Sequence, residues 1–162
     1  EMCIGDRCGP MVSLRQQESV STYIQSGISG GATLLSGGLG MPEGITKGYY
    51  VKPTIFANVS PDMKIWKEEI FGPVLVITTY KSEEEAIILA NDSIYGLSGG
   101  VWSNDEERAI RFAKEMRTGQ VSVNGGAFNV SAPFGGYKLS GNGRELGTHG
   151  LNEFLEIKSI QL

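Results

Sequence analysis

The side chains that most often act in catalysis are scarce in this chain. His149 is its only histidine, and Cys3 and Cys8 are its only cysteines. His149 is interpreted as a surface residue of a helix and not as a member of a Ser-His-Asp triad. The three side chains are also one ligand short of a closed structural zinc site. Taken alone, these residues predict no catalytic residue and no metal site.

The elements that would position a site follow an α/β pattern. Ser13 and Gln16 form a capping-box pattern before apolar residues at helical spacing, which predicts a helix over residues 13–29. The β-branched run at residues 74–80 predicts a buried strand. Further along, the pattern predicts a capped helix from residue 82, a strand at 99–103, a helix at 105–116 and a strand at 120–124. This alternation favours one compact domain with a parallel sheet and right-handed crossovers.

The flanking segments carry shorter elements. Residues 33–36 are expected to form a strand. Residues 49–59 are expected to be extended, with Pro53 restricting them to a sheet edge or a bulge. Near the end, the sequence predicts a helix over about residues 145–154 and a terminal strand over 156–162.

Composition excludes several classes of protein. The 162 residues carry a net charge of -4, without the clustered Lys/Arg face of a nucleic-acid-binding protein. No apolar run approaches the roughly 20 residues of a membrane span, and no signal-peptide pattern opens the chain. The two cysteines lie too close together to form a disulfide framework, so a reducing, cytoplasmic setting is expected.

Four segments resemble, in order and spacing, the C-terminal third of the aldehyde dehydrogenase family. Residues 67–74 read KEEIFGPV, and residues 90–102 read ANDSIYGLSGGVW. Residues 133–147 contain PFGGYKLSG and GRELG, and residues 48–56 read GYYVKPTIF. The resemblance extends from about residue 9 to residue 162, and it departs from the family pattern in a shortened connector at residues 4–10.

The family resemblance implies an enzyme that oxidises an aldehyde to a carboxylic acid with NAD or NADP. In the family, a cysteine attacks the aldehyde to give a thiohemiacetal, and a glutamate activates the hydrolytic water. Both residues are expected upstream of this chain, so the chain alone is expected to be inactive and to bind nucleotide weakly or not at all. The resemblance assigns residues 1–155 to the parallel-sheet βαβ core of the catalytic domain and residues 156–162 to an oligomerisation strand.

Candidate site residues follow from the same resemblance. Glu69 matches the glutamate that holds the nicotinamide ribose, with a solvated surface charge as the alternative. Phe71 matches an aromatic residue beside the nicotinamide, and core filling is its alternative. Gln16 corresponds to a position near the adenosine ribose, although it could serve only as a capping residue. Phe128 and Phe134 flank the segment that lines the substrate tunnel, or they contribute only packing.

The resemblance also suggests partners and supporting contacts. The partners are an aldehyde substrate and other copies of the chain, joined through the terminal strand as a homo-oligomer. Lys138 and Arg144 are expected to bond structurally to backbone carbonyls. A different hypothesis remains open at this point, in which the chain is a stand-alone, non-catalytic α/β module for oligomerisation or regulation.

Overall fold

The computed structural model describes residues 3–4 and 7–162, with side chains from residue 8 onward. The chain divides into two compact units, residues 1–79 and 80–162. Parts of the shortened connector lie outside the described residues, and the boundary between residues 155 and 156 stays a prediction. The first unit contains β1 (Cys3–Ile4), β2 (Arg7–Cys8), α1 (Leu14–Ser29), β3 (Thr33–Ser36), β4 (Thr54–Ala57), α2 (Lys64–Lys67) and β5 (Val74–Val76).

The sheet of the first unit has the order β3-β4-β5. Strand β4 pairs antiparallel with β3 and parallel with β5. Of the edge or bulge expected for the Pro53 segment, the edge is wrong, because β4 is the central strand. The pairing of β3 with β4 does contain a register shift, between Leu34 and Ser36. Pro53 immediately precedes β4, so its missing N–H interrupts no ladder bond within the strand.

The core of the first unit lies between α1 and this sheet. Val20 and Ile24 of α1 are fully buried, as is Phe56 of β4. They pack in one cluster with Val51, Val59 and Ile65. The spacing of Val20 and Ile24 is one helical turn, so both side chains point from the same face of α1 into the core.

The second unit contains two small sheets and three helices. Its elements are α3 (Glu83–Asn91), β6 (Tyr95–Gly96), β7 (Ser98–Val101), α4 (Glu106–Glu115), β8 (Gln120–Val123), β9 (Tyr137–Lys138) and α5 (Gly147–Asn152). Strands β7 and β8 pair in parallel across the α4 connection, and β6 pairs antiparallel with β9. Asp105 caps α4 by accepting a 2.9 Å hydrogen bond from the Arg108 N–H, and the predicted helix is confirmed.

The single parallel sheet expected from the sequence is wrong. Strand β5 pairs with β4 in the first unit, while β7 and β8 form a separate sheet in the second. The alternation of strands and helices identifies the elements, but pairing depends on contacts between distant residues. The α/β class is confirmed, with mixed rather than purely parallel pairing.

The glycine-rich segment after β8 is held by side-chain bonds to backbone carbonyls. Lys138 Nζ donates to the carbonyls of Asn91 and Ser93 at 2.9 and 2.8 Å. Arg144 Nη1 donates to the carbonyl of Gly136 at 3.0 Å and also to that of Gly143. The structural role expected for Lys138 and Arg144 is therefore confirmed.

The end of the chain departs from expectation. The last helix is shorter than predicted, and residues 156–162 form no strand in the structure. These seven residues are all exposed. A strand needs a neighbour to supply ladder hydrogen bonds, and none of the described residues pairs with this segment.

The cysteine region also differs from the sequence-based expectation. Cys8 lies opposite Cys3 in the antiparallel pairing of β1 with β2. Cys8 is disulfide-bonded rather than reduced. No helix within the described residues has the length and apolar character needed to cross a bilayer.

Candidate functional site

Glu69 lies in the short irregular segment between α2 and β5. Its side chain is exposed, and no hydrogen bond or ion pair joins its carboxylate to any residue that the structure describes. Its neighbour Glu68, by contrast, is bonded to the protein. An exposed carboxylate with free lone pairs can accept several hydrogen bonds from a ligand. The structure therefore leaves Glu69 available for an external partner.

Phe71 lies two residues further along the same segment. Its ring is 75% exposed, so the alternative in which it fills the core is wrong. Its backbone has φ 55°, in the left-handed region that residues other than glycine rarely adopt. Such a conformation persists only where surrounding contacts hold it. An exposed aromatic ring on a constrained backbone is typical of a binding surface.

Gln16, in the first turn of α1, holds this constrained backbone. Its Nε2 donates a 2.9 Å hydrogen bond to the carbonyl oxygen of Phe71, 55 residues away in sequence. Its backbone N–H donates to Ser13 Oγ at 3.3 Å, which confirms the N-cap. The reciprocal bond of the predicted capping box, from the Ser13 N–H to the Gln16 side-chain oxygen, is absent among the described residues.

Gly72 and Glu68 contact the same face of α1. Gly72 packs so closely on Val20 that a Cβ added to the glycine would lie 2.5 Å from Val20 Cγ2. One turn further along the helix, the Tyr23 hydroxyl donates a 2.7 Å hydrogen bond to Glu68 Oε2. Lys64 Nζ lies 3.8 Å from that same carboxylate oxygen. The segment is thus fixed to α1 on both sides of Glu69.

Sequence analysis missed Tyr23, Val20 and Glu68 as parts of this arrangement. The apolar stripe of α1 indicated which face is buried, but it could not indicate what covers that face. The available signal was Tyr23 on this apolar face, since the hydroxyl of a half-buried tyrosine usually finds a hydrogen-bond partner. The structure brings Gln16, Glu69 and Phe71 together in one region of the first unit.

Phe128 and Phe134 form a second group, in the second unit. Their rings meet edge to face, with centroids 5.8 Å apart and planes at 77°. The Phe134 backbone exchanges two hydrogen bonds with Glu145, at 2.7 and 2.6 Å. Phe128 is 58% exposed, whereas Phe134 is half-buried. The pair therefore presents an aromatic surface that rests on the glycine-rich segment.

The described residues form no candidate metal site. Within the described part of the chain, no three His, Cys, Asp or Glu side chains are grouped as metal ligands. The first unit instead offers the exposed Glu69 carboxylate and the exposed Phe71 ring, two positions apart on an anchored backbone.

Comparison with known protein sequences places this segment in context. The model of the family described as "Aldehyde dehydrogenase family" matches residues 5–160. A 3-succinoylsemialdehyde-pyridine dehydrogenase from Pseudomonas sp is 52% identical over 99% of this chain and 35% of its own length. A putative aldehyde dehydrogenase from Staphylococcus aureus is 49% identical over 96% of this chain and 33% of its own length. The chain thus spans about a third of the length of these relatives.

Solved structures agree with the sequence matches. The aldehyde dehydrogenase of Mycobacterium tuberculosis, crystallised with NAD+, superposes with a TM-score of 0.88 and 49% identity, over 91% of this chain and 30% of that one. A mutant aldehyde dehydrogenase of Pseudomonas syringae with NAD+ and octanal gives a TM-score of 0.89 and 47% identity, over 91% and 30%. The hypothesis of a stand-alone module is not favoured by these matches. The chain belongs to the aldehyde dehydrogenase family.

Proposed function

We propose that this chain forms part of an NAD(P)-dependent oxidoreductase that converts an aldehyde to a carboxylic acid. The observation that carries the proposal is the presentation of Glu69 and Phe71 on a backbone segment anchored to α1. Family membership supplies the reaction class. The two superposed structures named above hold NAD+, which supports a nicotinamide cofactor for the enzyme.

The residues present fit such a cofactor. The Glu69 carboxylate is exposed and unpaired among the described residues, and it can accept hydrogen bonds from both hydroxyls of a ribose diol. Charge-assisted bonds of this kind are among the stronger hydrogen bonds in proteins. The Phe71 ring supplies an apolar surface two residues away. We therefore assign Glu69 to the nicotinamide ribose and Phe71 to the adjoining ring.

The cofactor, when bound, supplies a hydride acceptor. Glu69 then fixes the sugar, and the Phe71 ring limits the positions that the attached nicotinamide can adopt. A fixed ring keeps the reacting atoms within the short distance that hydride transfer requires. These two side chains bind and orient, and neither moves a proton in the proposal.

The nucleophilic cysteine and the general-base glutamate belong, in this proposal, to a part of the enzyme outside these 162 residues. Cys8 is disulfide-bonded and thus holds no thiolate. We therefore expect the 162-residue chain by itself to give no turnover and to bind NAD weakly. The nucleophile would form the thiohemiacetal, and the glutamate would activate water to release the acid.

The aromatic pair of the second unit is proposed to line the substrate tunnel. Phe128 and Phe134 together offer an apolar wall, which suits an aldehyde with an apolar tail. Residues 156–162 are exposed, and their backbone groups are open to strand pairing with a second copy. We propose a homo-oligomer joined through this segment and a cytoplasmic location.

Glu69→Gln in the enzyme that carries this segment tests the proposal. The change keeps the shape of the side chain and removes its charge, so we expect kcat/KM for NAD to fall about 10-fold or more. NADH formation with an aliphatic aldehyde is followed by absorbance. Glu43→Gln is the matched control, because Glu43 is also exposed and lies in a different loop. The proposal fails if the unaltered enzyme shows no aldehyde-dependent NAD(P) reduction, or if the two variants behave alike.

A further inference from the structure

Three residues on one face of α1 contact the segment that carries Glu69. Gln16 bonds to the Phe71 carbonyl, Val20 packs against Gly72, and Tyr23 bonds to Glu68. Their positions, four and then three residues apart, place them in a row along the helix. We infer that Gln16 and Tyr23 are positioning residues, which hold Glu69 and Phe71 in the geometry needed for hydride transfer. This inference rests on the function proposed above.

The contacts fix the backbone before and after Glu69. Tyr23 fixes the preceding residue through a 2.7 Å bond to its side chain. Gln16 fixes the residue two positions later through a 2.9 Å bond to its backbone. Glu69 itself bonds to no described residue, so its position is set by these neighbours. A rigid helix that carries both anchors gives the segment the fixed support that a binding constellation needs.

The backbone of Phe71 explains why an anchor is needed there. A residue other than glycine at φ 55° would relax to a more favourable region if it were released. The Gln16 amide bonds to the carbonyl of this same residue, and therefore opposes that relaxation directly. Relaxation would rotate the following peptide and change the direction of the exposed ring.

This role differs from the direct contact with the adenosine ribose that the resemblance implies for Gln16. The Gln16 Nε2 donates one of its two N–H groups to the Phe71 carbonyl, and therefore ties the side chain to the segment that carries Glu69. The two roles predict different kinetics. Loss of a direct binding contact raises KM with kcat unchanged, whereas misplacement of the reacting groups lowers kcat.

Gln16→Met is the test variant, because methionine has a similar length and no amide donor. In the active enzyme we expect kcat to fall about fivefold, the loss produced by one typical hydrogen bond, while KM for NAD changes less than about twofold. A primary isotope effect, measured with an aldehyde deuterated at C1, should increase as hydride transfer becomes slower than the other steps.

Gln17→Met is the matched control. Gln17 follows directly on the same helix, and its Nε2 also donates to a backbone carbonyl, that of Tyr50, at 2.7 Å. A change in kcat and isotope effect for Gln16→Met but not for Gln17→Met supports the inference, since a general loss of stability would affect both. Equal effects of the two variants overturn it, and so does a raised KM for NAD at constant kcat.

Tyr23→Phe keeps the inference testable if Gln16→Met fails to fold. This change removes only the hydroxyl that donates to Glu68, and it should lower kcat with little change in KM. In a Glu69→Ala background, Tyr23→Phe should have almost no further effect on kcat, because the neighbouring group that Tyr23 positions is gone. Additive effects would contradict the inference. An inactive unaltered enzyme would instead refute the proposed function, and the two failures are thus distinct.

Discussion

Gly119 lies where the turn after α4 meets the glycine-rich segment that carries Phe134. A Cβ added to Gly119 would lie 1.5 Å from the carbonyl oxygen of Gly135. Ordinary contact between such atoms needs about 3.5 Å, so the two backbones would have to separate by roughly 2 Å. Neither neighbour is a flexible side chain that could rotate away. Gly119→Ala is therefore expected to disrupt this contact severely.

The magnitude follows from the contact and from two nearby hydrogen bonds. The Gly119 N–H donates to the Gly96 carbonyl at 3.0 Å, and the Gln120 N–H donates to that of Leu97 at 3.2 Å. Overpacking costs about 1–3 kcal/mol, and each weakened bond adds about 1 kcal/mol. We expect Gly119→Ala to lower the free energy of unfolding by about 3–5 kcal/mol.

Urea unfolding followed by circular dichroism measures this change, and hydrogen exchange locates it. Amides of Gln120–Val123 should lose protection. Gly9→Ala is the control, because a Cβ there meets no atom within 4 Å and its φ is not positive. A Gly119→Ala chain that is as stable as the Gly9→Ala chain would refute the close approach of the two backbones.

Two further predictions concern the first unit. Thr54 is 1% exposed, and its hydroxyl donates to the Lys52 carbonyl at 2.8 Å and accepts from the Gly38 N–H at 3.0 Å. Thr54→Val should therefore lower the free energy of unfolding in urea by about 2 kcal/mol, and Thr54→Ser by about 1 kcal/mol. The reverse order would argue against these bonds. The hydrogen bond from Ser60 lowers the pKa of Asp62, so the bond stabilises the fold above the ordinary carboxyl pKa and is lost as pH falls through the lowered one. Ser60→Ala should raise the pKa of Asp62 in a carbon-13 NMR titration, and an unchanged pKa would contradict the assignment.

Local features of the sequence predict the helices well. Ser13 and Asp105 cap α1 and α4 as their positions indicate, because an N-cap depends on residues only two or three positions apart. Strand pairing follows from contacts between distant residues, so the sequence does not reveal that Val74–Val76 joins Thr54–Ala57 rather than a later strand. Residues 156–162 have an apolar pattern that predicted a strand, but no described strand pairs with them in this chain.

The same distinction divides the candidate site. Glu69 and Phe71 could be selected because their motif is contiguous and matches the family. The supporting contacts could not, since Gln16 and Phe71 are 55 residues apart and Tyr23 and Glu68 are 45 apart. Gln16 illustrates the consequence: its place three residues after Ser13 suggested a capping box, but its side chain donates to the Phe71 carbonyl. The backbone N–H of Gln16 bonds to the nearby Ser13, whereas its side chain bonds to a residue that only the fold brings within reach.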